Sequence, residues 1–194
     1  MTPRHVHPGI EVRAGAVTLF VAAFDVFPSI AQKYLVQKGC ATVLGGKIQP
    51  SRTFIPLDTW LDTFDAVLAD IGPNALFKIG QRITGNPHFP STITDLEGAL
   101  RAVDAAYHQS HRKDGQPMFD GGKMTDGIGN FRVQREGRAK IIRVFSDTPY
   151  PCPLEQGMVS GIAWLFDARA IVEHHSPDRC RTKGGDRCEY IVTW

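Results

Sequence analysis

Residues 179–194, at the carboxyl end of the chain, read RCRTKGGDRCEYIVTW and decide the fold class. A Gly-Gly pair lies midway between Cys180 and Cys188, and glycines in such a position are typical of a turn between two strands. In the strand that follows, Tyr190 and Val192 share one face with Cys188, because side chains alternate along a strand. The stretch therefore predicts a terminal β-hairpin on which the two cysteines face each other.

The residues before this hairpin extend the same sheet. Phe131–Val133 and Ile142–Val144 flank a glycine-containing turn, which predicts a second hairpin. Ala170–Glu173 predicts a further strand, and the apolar spacing of Leu154–Phe166 predicts a helix between the two hairpins. The second half of the chain is therefore an antiparallel sheet with one helix.

The first half of the chain is dominated by helical patterns. The clearest predicted helix begins at Thr94, which forms a capping box with Glu97, and runs to about His111. The other predicted helices are Ala14–Phe27, Ser29–Lys38, Asp58–Ile71 and Pro73–Ile83. We therefore expect an α+β fold, with a helical N-terminal half packed on a C-terminal antiparallel sheet. It forms one domain over residues 1–194, with residues 1–12 as a flexible N-terminus.

Composition excludes several classes of protein. The chain has 194 residues, of which 42% are hydrophobic, and its formal net charge is +2, so we expect neither a disordered chain nor a nucleic-acid partner. The most apolar stretch is shorter than a membrane-spanning helix and is interrupted by Asp25. A signal peptide ending near Ala23 is the weaker alternative, since Glu11 lies in the region that should be basic. The sequence predicts a cytoplasmic protein without a membrane partner.

Three of the four cysteines lie in the last quarter of the chain. Cys152 follows a proline-rich turn and brings one more thiolate to the pair at the terminal hairpin. Zinc commonly takes four thiolate, imidazole or carboxylate ligands, so this set predicts a structural zinc site. The alternatives are unligated buried thiols or a disulfide between Cys180 and Cys188. The candidates for a fourth ligand all precede Cys180: His175, His174, Asp178 and Glu173.

The segment from the PYPC sequence ending at Cys152 to the terminal CEYIVTW resembles the 4-vinyl reductase domain family. The resemblance covers residues 127–194 and extends loosely to the helical half. It implies the α+β fold shared with trafficking-complex (TRAPP) subunits, a homodimer, and a small aromatic ligand in an internal cavity beside a zinc site. In the phenol-sensing members, three cysteines and one glutamate hold the zinc. Cys152, Cys180 and Cys188 match the cysteines, but Pro177 stands where the glutamate would be, and we assign His175 as its replacement.

A second group of candidate residues lies on the helix that begins at Thr94. Tyr107, His108 and His111 lie near its end, and the two histidines share a face. They are candidates for binding a phenol, a haem or another tetrapyrrole in the cavity, together with Trp164 from the following helix. The alternative is that Tyr107 is a core residue and both histidines are solvated.

No catalytic motif is present: the sequence has no G-x-S-x-G elbow, no H-E-x-x-H pair and no P-loop. The sequence therefore predicts a binding protein rather than an enzyme: a stand-alone sensor domain for a small hydrophobic or aromatic ligand, with a structural zinc and a downstream signalling partner. One alternative is a tetrapyrrole- or haem-handling protein, or an enzyme associated with a reductase. The other alternative is a dimeric scaffold without a ligand.

Overall fold

A computed structural model describes residues 7–24, 28–84, 89–137 and 139–194, and these residues form helices and antiparallel strands. The helices are α1 Gly15–Ala23, α2 Pro28–Gln37, α3 Leu57–Asp70, α4 Pro73–Thr84, α5 Leu96–Gln109 and α6 Cys152–Phe166. The strands are β1 Ile10–Arg13, β2 Ala41–Leu44, β3 Lys47–Pro50, β4 Phe54–Pro56, β5 His111–Lys113, β6 Gln116–Pro117, β7 Phe119–Asp120, β8 Lys123–Met124, β9 Phe131–Arg135, β10 Ile141–Ser146, β11 Ile171–His175 and β12 Cys188–Thr193. No helix in these ranges has both the length and the apolarity needed to cross a bilayer.

An N-terminal sheet has the strand order β4-β1-β5-β6. The sequence predicted a flexible segment over residues 1–12, whereas the structure places β1 in the interior of this sheet. Ile10 and Val12 are buried, and Val12 lies opposite His111 in the register of β1 and β5. A strand of four residues offers too few alternations to be distinguished from a loop. The part of the prediction that covers residues 1–6 lies outside the described residues.

The C-terminal sheet has the order β11-β12-β10-β9 and is antiparallel throughout. The predicted hairpin of β9 and β10 is present, although Arg138 in its turn lies outside the described residues. The terminal hairpin differs from the prediction. Cys180 lies on no strand but between two short 3-10 turns, and β12 pairs with β11 and β10 instead. The predicted direct opposition of Cys180 and Cys188 across two strands is therefore wrong.

Helix α5 begins one residue later than predicted. Asp95 is the N-cap, and its Oδ1 accepts a hydrogen bond from the Gly98 amide at 2.7 Å, whereas Thr94 lies outside the helix. The helix ends at Gln109 because His111 already belongs to β5. Tyr107 therefore lies in the last turn of α5 and His111 at the start of a strand.

Helices α4 and α6 pack backbone against backbone. A Cβ on Gly157 of α6 would overlap the Phe77 carbonyl group, and a Cβ on Gly80 of α4 would overlap the Leu154 carbonyl oxygen. Only glycine permits so close an approach. The contact fixes α6, which carries Cys152 at its first residue.

An aromatic cluster fills the core between the N-terminal helices. Phe20 contacts Trp60 and Phe64 at ring-centroid distances of 5.7 Å each. Phe20 of the predicted first helix is therefore a core residue, whereas Phe27, at the end of that prediction, lies outside the described residues. The cluster forms one wall of the cavity described next.

Candidate ligand cavity and metal centre

A cavity of about 860 Å³ lies between the N-terminal helices, α5 and α6. This volume is near the upper end of the range of about 300–1,000 Å³ that is usual for small-molecule sites. Its walls are mainly apolar and include Trp60, Phe64, Phe89, Phe131, Met158 and Ile162. The cavity can therefore take a large hydrophobic ligand.

A basic and an acidic residue line the cavity, and they differ in how deeply they are buried. Arg13 is exposed at the mouth, beside Gln109 and Ser110. Glu155 is fully buried at the base and accepts hydrogen bonds from side chains behind the wall. The mouth is therefore cationic, and the base holds an acid that already has partners.

His111 lines the cavity in a defined tautomer. Its Nδ1 lies 2.7 Å from the Tyr107 carbonyl oxygen, which can only accept a hydrogen bond, so this nitrogen carries the proton. Burial lowers the pKa of His111 to about 4, which leaves the ring neutral at pH 7 and Nε2 unprotonated, with a lone pair. That lone pair accepts a hydrogen bond from the Tyr150 hydroxyl at 3.0 Å. A neutral imidazole held in this way is the form that coordinates a metal.

Tyr107 also lines the cavity, but its hydroxyl is engaged. The hydroxyl donates a hydrogen bond of 2.7 Å to the Ile128 carbonyl oxygen. Burial raises the pKa of Tyr107 well above its ordinary value, so the phenol stays protonated at neutral pH. Tyr107 is thus a poorer metal ligand than His111 in this arrangement.

The other two predicted ligand-binding residues lie elsewhere. His108 is 1% exposed, and its Nδ1 bonds the Asp104 carbonyl oxygen at 2.9 Å, but it does not line the cavity. Trp164 is 46% exposed, and its indole donates to the Ala170 carbonyl oxygen on the outer side of α6. Because His111 is 3% exposed, neither histidine is solvated as the alternative interpretation required.

A second cluster lies behind the cavity, where α6 begins. The ligand atoms of Cys152, Cys180, Cys188 and His174 all lie within 4.8 Å of one another. The Cys152 Sγ lies 3.8 Å from that of Cys180 and 3.0 Å from that of Cys188, and two thiolates on a tetrahedral zinc are about 3.8 Å apart. The four cysteines are free, so the alternative of a disulfide between Cys180 and Cys188 does not hold.

His174, rather than the predicted His175, faces the cysteines. Successive side chains of β11 point to opposite sides, and His174 lies opposite Tyr190 on the buried side while His175 is exposed. The His174 Nε2 is buried and has no hydrogen-bond partner, and its ring stacks on Tyr190 at 5.1 Å. A buried donor or acceptor without a partner is costly, so this atom is one that a metal would satisfy. Cys188 and Tyr190 lie on the same face of β12, and His174 pairs with Tyr190. This alternation of side chains was the signal that could have identified His174 in the sequence.

The thiols of the cluster influence each other. The hydrogen bond between Cys152 and Cys188, at 3.0 Å, lowers the pKa of Cys188 and raises that of Cys152. The charge of Arg181 also lowers the pKa of Cys188. One thiolate is therefore favoured even before a metal binds, and thiolates are the form that zinc takes.

A buried acid-base network, which the sequence patterns did not predict, lies between the cluster and the cavity. Glu155, one turn after Cys152, accepts from Ser146 at 2.7 Å, from Tyr190 at 2.8 Å and from Thr148. Arg181 donates to Glu155 at 3.1 Å. The only signal in the sequence was an acidic residue within the apolar pattern of α6. Burial raises the pKa of Glu155, which the charge of Arg181 opposes.

Comparisons with known proteins give the fold a name. No family model and no curated protein matches the sequence. The structure is similar to an H-NOX protein from S. oneidensis in the Fe(II)NO ligation state, with a TM-score of 0.62, 11% identity, and coverage of 93% of this chain and 97% of that one. The chain has an H-NOX fold. A variant of Tt H-NOX (TM-score 0.58, 18% identity, 93% and 94% coverage) shares this H-NOX fold. So does the IWP-051-bound Shewanella woodyi H-NOX (TM-score 0.53, 13% identity, 93% of both chains).

These neighbours confirm the α+β class and overturn the resemblance to 4-vinyl reductase domains. H-NOX (haem nitric oxide/oxygen binding) domains match over nearly the whole chain. The resemblance rested on residues 127–194, where a cysteine spacing and a helix with two glycines describe a local arrangement. The N-terminal sheet and helices, which the resemblance covered only loosely, belong equally to the H-NOX fold.

Proposed function

We propose that this chain is a haem-binding sensor domain in which His111 holds the haem iron. The single observation that carries the proposal is the neutral His111 imidazole, which lines a large apolar cavity and keeps Nε2 unprotonated. The H-NOX fold supports it, since the neighbours named above include Fe(II)NO and Fe(II)CO states. The alternative of a haem-handling protein is thus favoured over the phenol-type ligand.

The residues of the cavity fit a haem in size, polarity and donor type. The volume of about 860 Å³ and the aromatic walls suit a large planar hydrophobic group. Histidine and tyrosine both occur as axial ligands of haem iron, and here the His111 Nε2 is unprotonated whereas the Tyr107 phenol stays protonated. When bound, haem would supply an iron atom that can bind a small gas.

The chain's own residues define what binding requires. The Tyr107 carbonyl group holds the proton of His111 on Nδ1, which keeps Nε2 available at neutral pH. The Tyr150 hydroxyl, which now donates to Nε2, must find another acceptor when His111 coordinates a metal. That displacement changes a residue whose own carbonyl oxygen accepts from Arg181 at 2.7 Å, next to the cysteine cluster.

Reconstitution with hemin tests the proposal. The wild-type protein should bind hemin in a one-to-one ratio with a Soret band. His111→Gly should lose the histidine-ligated spectrum and recover it with added imidazole, because imidazole replaces the missing side chain. Tyr107→Phe is the matched control from the same wall, and its ferrous spectrum should keep the histidine-ligated form. A spectrum that survives in His111→Gly and is lost in Tyr107→Phe would assign the iron to tyrosine instead.

A second function is favoured by the cysteine cluster. We propose that Cys152, Cys180, Cys188 and His174 hold one structural zinc ion, because their ligand atoms lie within 4.8 Å and His174 Nε2 otherwise has no partner. Four protein ligands leave no open position, so the role is structural rather than catalytic. Native mass spectrometry should find one zinc per chain in wild type and in His175→Ala, and less in His174→Ala. Equal zinc in the two histidine variants would contradict the assignment.

A further inference from the structure

The proposed iron ligand is already engaged by another side chain of the cavity wall. The Nε2 atom of His111 lies 3.0 Å from the Tyr150 hydroxyl oxygen. Because Nδ1 carries the imidazole proton, Nε2 can only accept, and the hydroxyl must donate its proton to this nitrogen. A metal ion would need the same lone pair. A metal and the Tyr150 hydroxyl therefore exclude each other at His111.

The Tyr150 hydroxyl has only one proton, and a second contact directs that proton to His111. Burial raises the pKa of Tyr150, and a hydrogen bond from the Trp60 side chain opposes this rise. The indole N–H of a tryptophan can only donate, so the Tyr150 oxygen accepts from Trp60 and its own proton is left for His111. Because its pKa is raised, the phenol keeps that proton at neutral pH.

The ring of Tyr150 is held in place by its neighbours. Its centroid lies 5.9 Å from that of Phe64 and 5.9 Å from that of Tyr107, and both contacts are edge-on. The Tyr150 carbonyl oxygen accepts a hydrogen bond from Arg181 at 2.7 Å. We therefore expect the hydroxyl to stay close to His111 even when the hydrogen bond between them is broken.

We propose that Tyr150 competes with metal ions for the His111 nitrogen and so weakens the binding of every ligand that coordinates His111. This inference rests on the proposed function, because it assumes that His111 can hold the metal of a porphyrin. In the wild type, coordination deprives a buried hydroxyl of its acceptor, which is costly. Without the hydroxyl, the free protein would instead contain a buried lone pair without a donor. Both effects predict that removal of the hydroxyl strengthens coordination, whereas a ligand without a metal meets no such competition.

Two porphyrins that differ only in their metal test the proposal without involving iron. Zinc protoporphyrin IX and metal-free protoporphyrin IX carry the same carboxylates, and only the first can take an axial nitrogen ligand. Both are titrated into wild type, Tyr150→Phe and Tyr107→Phe, and binding is followed by fluorescence. Tyr107→Phe is the matched control, because the Tyr107 hydroxyl donates to the Ile128 carbonyl oxygen and not to His111.

The expected effect is specific to the metal. Tyr150→Phe should strengthen the binding of zinc protoporphyrin by about 5- to 10-fold, the effect of one buried polar group that no longer loses its partner. The hydrogen bond from Trp60 is lost in both the free and the bound variant, so it cancels, and binding of the metal-free porphyrin should change little. Tyr107→Phe should match wild type with both porphyrins. In a His111→Gly background, Tyr150→Phe should have no effect, because it acts only through that nitrogen.

The outcomes distinguish this inference from the proposed function. If wild type prefers the zinc porphyrin and loses the preference in His111→Gly, but Tyr150→Phe binds it no more tightly, the competition is overturned and His111 remains the ligand. Equal strengthening of both porphyrins would mean that Tyr150 acts through the size of the cavity, which also overturns the inference. A His111-dependent preference that appears only in Tyr150→Phe would support it. If neither protein shows such a preference, both the proposed ligand and its competitor are wrong.

Discussion

The ligand cavity and the cysteine cluster lie on opposite sides of Glu155, and they differ in how complete they are. Two buried polar side chains of the cavity wall have partners within the protein: Tyr107 bonds Ile128, and His111 bonds Tyr150. The cluster contains a buried imidazole nitrogen without a partner and sulfurs in close contact. The difference teaches that the buried polar groups of the cavity wall are satisfied without a ligand, whereas the cluster leaves a buried nitrogen that the proposed zinc would satisfy.

The largest expected effect is therefore on the cluster. Cys188→Ala should lose bound zinc and lower the free energy of unfolding by about 5 kcal/mol, because metal binding at such sites is coupled to folding. Removal of the metal from wild type by a chelator should have a similar effect. Urea unfolding together with elemental analysis measures both.

Cys40 provides the matched control for this prediction. It is equally buried, but it lies by Thr63, far from the cluster in sequence and contacts. Cys40→Ala should keep its zinc and lose only the stability of a small cavity, about 1 kcal/mol. Equal zinc content in Cys188→Ala and Cys40→Ala would contradict the assignment of Cys188 as a zinc ligand.

The next largest loss of stability is expected from the ion pair of Arg181 and Glu155, which lies between the cluster and the cavity. Arg181→Met leaves the buried Glu155 carboxylate without its ion-pair partner and should destabilise the fold by about 4 kcal/mol. The double variant Glu155→Gln, Arg181→Met should recover part of that loss, since no buried charge remains unpaired. Urea unfolding of both variants checks this, and a double variant as unstable as the single one would show that the charge pair is not the cause.

At the cavity, we expect His111 to make the stability of the fold depend on pH. The pKa of His111 is lowered from 6.5 in the unfolded chain to about 4 in the fold, so the unfolded state binds more protons between these values. The His111 shift does not change the free energy of unfolding above about pH 6.5. As pH falls from there to 4, the shift lowers this free energy by about 3 kcal/mol. The groups that face His111 are Tyr107, Tyr150 and His108, and the two phenols remain protonated throughout this range.

The experiment compares haem-free wild type with His111→Phe. The unfolding free energy of wild type minus that of His111→Phe should fall by about 3 kcal/mol as pH falls from 7 to 4. A difference independent of pH would mean that His111 is not held neutral in the cavity wall.

The two regions also differ in how far the sequence predicted them. The three cysteines of the cluster could be predicted because residues with a distinctive chemistry are concentrated in the last quarter of the chain, whereas the choice of His174 over His175 depended on the folded strand. The cavity could be predicted only in part: Tyr107 and His111 were found, but Arg13, Tyr150 and Glu155 were not. Those three come from a strand, a turn and a helix that meet only in the folded protein, and no spacing in the sequence connects them.

The N-terminal sheet was missed for a related reason. β1 and β4 have four and three residues, and each is recognisable only by its pairing with the other. The C-terminal sheet has longer strands with a clear alternation, such as β12, and was predicted correctly in outline. Local pattern predicts long elements well, whereas short strands depend on distant partners.

The smallest expected effect sharpens this lesson on the helix that carries Tyr107. The sequence predicted Thr94 as the N-cap of α5, but the structure gives the role to Asp95, whose carboxylate bonds the Gly98 amide at 2.7 Å. Asp95→Ala should therefore lower the free energy of unfolding by about 1 kcal/mol, and Thr94→Ala should leave it nearly unchanged. Thermal unfolding of the two variants measures the difference. A larger loss of stability in Thr94→Ala than in Asp95→Ala would show that Thr94 is the N-cap, as the sequence predicted. Because the cavity lies near the other end of α5, hemin binding should be equal in both variants.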